Sequence, residues 1–159
     1  MIFLTVGTQL PFDRFVKLVD RWAALNPEVK IFAQIGKGSY VPQHMEHCAF
    51  LDEQTYKSKF DSASIVLAHA AMGSIITSLI ESKPVIVFPR HASLGEHRNE
   101  HQLATCRNFE HFEGCYVTYD EDELCNSLDN LTSLQGGSLG LYANPDLLKN
   151  IENFILAQQ

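Results

Sequence analysis

Positive charge is scarce in this sequence. Its 12 Lys and Arg stand against 19 Asp and Glu, a formal net charge of −7. Binding to a nucleic-acid backbone needs a surplus of Lys and Arg, and a polybasic hold on anionic lipid needs the same, so the balance argues against both. Long apolar runs are missing as well. None approaches the ~20 residues that span a bilayer, and residues 84–89, one of the longest, have the length of a strand. The opening Met1-Ile2-Phe3-Leu4-Thr5-Val6-Gly7 is apolar but short, and it lacks the basic lead and the cleavage site of a secretory signal. Four cysteines, Cys48, Cys106, Cys115 and Cys125, form no CxxC pair and no dense framework, which predicts reduced thiols in the cytosol. The phosphate loop GxxxxGK[ST], the dinucleotide fingerprint GxGxxG and the zinc motif HExxH are all absent.

What is present has the composition of a globular chain. The 159 residues are 45% hydrophobic and 19% charged, the size of one ordinary domain, and a chain of about that length buries roughly 70% of its unfolded surface. Short β-rich runs alternate with amphipathic stretches. The pattern predicts strands at residues 1–6, 30–35, 48–51, 64–69, 84–89 and 115–119. Helices are predicted from Pro11 to Asn26-Pro27, over 54–61, 73–82 and 96–109, and then over 120–131 and 145–157. Residues 133–140 are rich in Gly and Ser and are predicted to form a mobile loop. Strands apolar on both faces and separated by helices imply a parallel sheet covered on both sides, an α/β Rossmann-like sandwich. With no internal repeat and no linker, residues 1–159 are expected to form a single domain. Ligands of such sheets bind beyond the carboxyl ends of the strands, so the residues to examine are those that follow each strand.

Four segments there carry polar or small residues. His69-Ala70-Ala71-Met72-Gly73-Ser74 joins a strand to a helix. Its small residues and the free N–H groups of the helix start suit a phosphate, and the same residues also make a plain turn with Ser74 as a cap. Gly7-Thr8 after the first strand reads the same two ways, as a phosphate contact or as a turn. Residues 89–102 hold two arginines, three histidines, two glutamates, an asparagine and a glutamine, side chains that suit a sugar or a charged ligand. His97 and His101, four apart, would face one way on a helix, but a third zinc ligand at a familiar spacing is missing, and a solvated helix face remains the plain alternative. Asp120-Glu121-Asp122-Glu123 contains an Asp-x-Asp of the kind some nucleotide-sugar enzymes use for a metal, but it fits the acidic start of a helix better.

Three of these motifs, taken together and in this order, resemble a known family. His69-Ala-Ala-Met-Gly-Ser-Ile-Ile, Lys83-Pro-Val-Ile-Val-Phe-Pro-Arg90 and Gly95-Glu-His-Arg-Asn-Glu-His-Gln102 look like the C-terminal domain of glycosyltransferase family 28, and Thr5-Val-Gly-Thr8 and Gln34-Ile-Gly36 agree. The likeness extends to the stand-alone half-enzymes: the PssE-type subunits of bacterial exopolysaccharide synthesis and the catalytic subunit of the eukaryotic dolichol-linked N-acetylglucosamine transferase. MurG carries a similar domain within a two-domain chain. The resemblance implies the donor-binding, C-terminal-type half of a GT-B enzyme, a hexosyltransferase that takes a UDP-sugar as substrate and needs no metal or cofactor. It implies a lipid-linked sugar acceptor, and a membrane-anchored, PssD-like partner that supplies the other half and holds this chain at the cytoplasmic face of the membrane.

Carried onto this sequence, the resemblance places Gly7, Thr8, Gly73 and Ser74 at the diphosphate, together with His69 and Met72 of the same segment. Gln34 and Gly36 fall on the nucleotide side, and Glu96, Asn99, His101 and Gln102 at ribose or donor sugar, with Arg90 offsetting phosphate charge. The general base is expected from the partner, with His97 or His101 as second choice. Two positions depart from the pattern: Ala71 stands where the motif has Gly, and Thr77 stands where MurG and the eukaryotic subunits carry a ribose-binding Glu. The exopolysaccharide branch fits these departures better. Two other readings stay open, a non-catalytic nucleotide-sugar-binding regulatory module and an unrelated nucleotide-dependent enzyme on the same fold. An unfilled partner face also allows a homo-oligomer when the chain is alone.

Overall fold

Strands without a polar face gather at the centre of a sheet, because only there are both faces covered. The computed structural model describes residues 1–140 together with Lys149, and the helix expected over 145–157 lies outside the described residues. In chain order the strands are β1 (Ile2–Thr5), β2 (Ile31–Gln34), β3 (Glu46–Cys48), β4 (Ile65–His69), β5 (Val85–Phe88) and β6 (Cys115–Val117). Between and after them run α1 (Asp13–Leu25), α2 (Glu53–Ser62), α3 (Met72–Ile80), α4 (His101–Phe109) and α5 (Glu121–Asp129). The six strands form one sheet in the order β3-β2-β1-β4-β5-β6, and every neighbouring pair is parallel. This is the expected α/β Rossmann-like architecture. Strand order reverses between β1 and β4, where Thr5 lies beside Ala68, and a crevice opens beyond their carboxyl ends at such a point.

Two cores flank the sheet. On one face Phe12, Phe15, Val19 and Trp22 of the α1 region and Leu124 and Leu128 of α5 pack on Leu4, Leu67 and Ile86. On the other, Phe60, Ile75, Leu79, Cys106 and Phe109 from α2, α3 and α4 pack on Phe3, Val66 and Val87. Phe12, Phe15 and Phe88 form a triangle of rings with centroids 5.2–5.9 Å apart. This triangle anchors the chain where it leaves β1 and re-enters a helix. Asp20, 1% exposed inside α1, is hydrogen-bonded by the Tyr40 hydroxyl and by the backbone N–H groups of Gln43 and His44. It pins the loop that follows β2 onto the helix.

Three sequence expectations are corrected here. The third strand is Glu46–Cys48 rather than 48–51; it is an exposed edge strand with no apolar alternation to mark it. The fourth helix begins at His101 rather than at 96, because a short turn (Ala92–Leu94) ends at Gly95 with φ 71° and residues 96–100 then run as bends. The segment 133–140 is packed. The Tyr116 hydroxyl bonds both the carbonyl and the N–H of Gln135, and the Leu139 N–H donates to the Leu79 carbonyl. Gly136 and Gly137 lie so close to the backbone of Ser82 and Glu113 that a Cβ would collide.

The Asp-x-Asp segment is a helix start. Asp120 caps α5 by accepting the Glu123 N–H at 2.9 Å, while the Glu123 carboxylate accepts the Tyr119 N–H, a reciprocal arrangement of the capping-box kind. Among the described residues no three His, Cys, Asp or Glu side chains group so as to hold a metal ion, and no helix is long and apolar enough to cross a membrane.

Candidate functional site

A cleft of about 390 Å³ lies beyond the carboxyl ends of β1, β4 and β5. Its floor is Val6, Gly7, His69 and Ala70; its walls are Thr8, Gln9 and Leu10 on one side and Ala71 and Met72 on another. Arg90, His97, His101, Gln102 and Thr105 close it. Gly7 has φ 74°, and a Cβ there would lie 2.7 Å from Cε1 of His69. Gly7 thus lets the histidine ring lie flush against the backbone. Burial, with the Arg90 charge adding to it, brings the His69 pKa down to about 4, and its Nδ1 is buried without a hydrogen-bond partner.

The start of α3 faces the same space. Its first turn closes with the Ile75 N–H on the Ala71 carbonyl at 3.3 Å, so the amides of Met72, Gly73 and Ser74 precede the helical ladder, and Ala71 supplies no side-chain cap. Free amides and the positive end of the helix dipole favour an anion there. A Cβ on Gly73 would meet nothing within 4 Å. The glycine is therefore not required by packing, and it leaves the helix start bare.

Arg90 is 2% exposed. Its guanidinium donates to the carbonyls of Val6 and Leu10 at 2.7 Å, to that of Pro11 and, at 3.4 Å, to that of Glu96, and it lies 4.5 Å from the Phe12 ring centroid. Burial lowers its pKa to about 10. Its backbone N–H in turn donates to Oε1 of Gln102. The expected phosphate counter-ion is thus a clamp that holds the loop after β1 against the loop after β5, since buried carbonyls need donors.

Other expected contacts are likewise taken up by the fold. Glu96 receives Nε and Nη2 of Arg14 at 2.8 Å each and the His91 N–H at 2.9 Å, so its carboxylate is turned away from the cleft. Gln34, 3% exposed, accepts the Thr5 hydroxyl and donates to the carbonyls of Gly7 and Ala49; it lies beneath the cleft and props the loop. Gly36 backs the same loop, since a Cβ there would stand 3.0 Å from the Gly7 carbonyl oxygen. Thr77 lies in a separate groove with Tyr56, Phe60 and Glu81. Asn99 bridges His97 and His101 and does not line the cleft.

The structure therefore gathers Gly7, Thr8, His69, Met72, Arg90, His97, His101 and Gln102 into one place, with Gly73 and Ser74 continuing from Met72 along the first turn of α3. Sequence reasoning missed Leu10 and Thr105. Thr105 follows His101 by four residues on α4, so helical spacing was the available signal for it. Arg14, the partner of Glu96 across 82 residues, carried none.

The model of the glycosyltransferase family 28 C-terminal domain matches residues 1–135. The human UDP-N-acetylglucosamine transferase subunit ALG13 is 30% identical over 123 residues, which cover 71% of this chain and 10% of that protein. The NMR solution structure of ALG13 superposes with a TM-score of 0.62 at 18% identity, covering 87% of this chain and 89% of that one. The crystal structure of the glycotransferase of kitacinnamycin gives a TM-score of 0.61 at 19% identity, with 83% of this chain and 34% of that one covered. SnogD from Streptomyces nogalater gives 0.53 at 12%, over 81% and 34%.

Proposed function

This chain belongs to the glycosyltransferase family 28 C-terminal domain family, and from that premise we propose that it is the donor-binding subunit of a two-component glycosyltransferase. It would hold a UDP-sugar while a lipid-linked acceptor hydroxyl attacks the anomeric carbon. The observation that carries the reading is the cleft at the strand-order reversal, which the loop of Gly7 and the uncapped start of α3 both line. Free amides at a helix start stabilise a departing diphosphate as its charge develops. UDP is the favoured nucleotide because the related ALG13 is a UDP-N-acetylglucosamine transferase subunit.

Among the described residues no Asp or Glu lines the cleft. A general base for the acceptor hydroxyl is therefore assigned to a partner subunit, with His97 or His101 as the second choice on this chain. The partner is proposed to be the membrane-anchored, PssD-like half of the enzyme, which keeps this chain at the cytoplasmic face of the membrane. Assembly of exopolysaccharide is the proposed setting, supported by the Gly95–Gln102 motif. Exposed Met72 and Leu94, 57% and 60% accessible, fit a face that a partner or a second copy covers. No metal enters this reading; the helix start and the cleft histidines face the charge.

Calorimetric titration with UDP, against ADP and GDP, tests the proposal. Selective UDP binding supports it, and binding of ADP or GDP in preference overturns it. The lack of a carboxylate in the cleft also fits a non-catalytic nucleotide-sugar-binding module. Sugar transfer by the chain with its partner, lost when either is omitted, separates the two.

A further inference from the structure

Among the described residues the cleft contains histidines but no free cation. None of its described lining residues is a lysine, and the arginine among them, Arg90, is turned onto backbone carbonyls. His97 and His101 stand at its wall with ring centroids 4.4 Å apart, edge to face. Asn99 sets their protons. Its Oδ1 accepts the backbone N–H of His101 at 3.2 Å, so the His101 Nδ1 that touches the same oxygen is the protonated ring nitrogen. His97 instead accepts the Asn99 N–H on its own Nδ1 at 3.4 Å. Neutral His101 is thereby left with a bare Nε2, and neutral His97 with a protonated one.

The fixed charges that face this pair are mainly positive. Arg90 and Arg98 lie close enough to act on His97, and His69, neutral above its pKa of about 4, lies across the cleft. Glu96 is neutralised by Arg14, and Glu100 is turned to the Ser93 N–H. Burial, with His101 and Arg90 beside it, holds His97 below the ordinary histidine range. A positive charge on His97 is disfavoured there, and an anion placed beside the two rings favours a charged imidazole.

We propose that the His97–His101 pair is the charge-compensating element of the diphosphate subsite, neutral in the empty cleft and taking one proton from solvent when a nucleoside diphosphate enters. The proton goes to Nε2 of His101, which then donates to a phosphate oxygen, and no bond other than this N–H forms or breaks. The inference rests on the donor-binding reading above. It makes donor affinity pH-dependent without any fixed cation in the cleft.

The test is calorimetry of UDP binding to the full chain at pH 7.5, in buffers of different ionisation enthalpy. The expected slope is uptake of roughly half to one proton per UDP, with affinity falling by up to about tenfold per pH unit above neutrality. The sign is diagnostic. The terminal phosphate of UDP ionises near about 6 and, drawn toward positive groups, releases protons rather than taking them up. In a His97→Gln/His101→Gln variant that melts like the parent, the uptake should vanish. A second readout needs no variant: among the seven histidines, UDP should raise the NMR titration midpoint of one of this pair by about one pH unit or more. UDP binding with zero uptake, or with uptake that persists in the double variant, overturns the inference and leaves the donor-binding reading intact. Failure of every nucleoside diphosphate to bind overturns both.

Discussion

The imidazole of His69 occupies the space that a side chain on residue 7 would need. A Cβ at Gly7 would stand 2.7 Å from Cε1 and 3.0 Å from Nε2 of that ring, and the backbone there has φ 74°. Gly7→Ala therefore meets both backbone strain and a collision, for a loss of about 2–4 kcal/mol in urea unfolding. UDP affinity should fall by more than the fraction unfolded explains, because the ring and the loop that frame the cleft must separate. A variant as stable as the parent would show that this contact is not tight.

Gly73 makes the opposite case. Nothing lies within 4 Å of a Cβ built there, and the residue sits in the first turn of α3. Gly73→Ala should stabilise the fold by about 0.5–1 kcal/mol, since alanine loses less backbone entropy in a helix. UDP affinity should nevertheless drop about tenfold or more, because the methyl covers amides that a phosphate would approach. Thermal melting and calorimetry on the same sample check the two halves.

Arg90→Lys is not a conservative change here. An ammonium cannot reach the four carbonyls that the guanidinium serves, and buried acceptors would lose their donors. The expected loss is about 2–4 kcal/mol in unfolding free energy. Chemical denaturation measures it, and a drop in UDP affinity with unchanged stability would instead return Arg90 to the role of phosphate counter-ion.

His69 links stability to pH. Its folded pKa is about 4 against 6.5 for a free histidine, so between those values the unfolded chain binds more protons than the folded one. The stabilisation is complete above pH 6.5 and is lost as pH falls toward 4, a loss on the order of 3 kcal/mol across the window. Urea midpoints measured from pH 7 to 4 should fall accordingly, and His69→Gln should flatten that part of the curve.

The core strands were legible in the sequence because their burial on both faces writes itself as uninterrupted apolar residues. Residues 64–69 and 84–89 differ from the observed β4 and β5 only at their ends. The edge strand Glu46–Cys48 lacks that mark, since its first two residues are exposed, and apolar pattern alone points two residues too far along. The start of α4 was misplaced for a different reason. Glu96–Glu100 have helix-forming composition, but Glu96 is held by Arg14 and by the His91 N–H, and those contacts outweigh a local preference for helix.

By itself the sequence determined the architecture and the neighbourhood of the cleft. Apolar periodicity sets which segments are strands, and a parallel sheet brings the residues after β1, β4 and β5 to one edge. Gly7, His69, Met72, His97 and His101 could be assembled on that ground alone. Tertiary structure decided which of the polar residues face the cleft and which hold the loops around it. Arg90, Glu96 and Gln34 read as ligand contacts in a linear motif, yet their partners are Pro11, Arg14 and Gly7, distant in the chain. A buried polar group must satisfy its hydrogen bonds wherever the fold offers them, and those partners are set by the packing of the loops rather than by spacing along the chain.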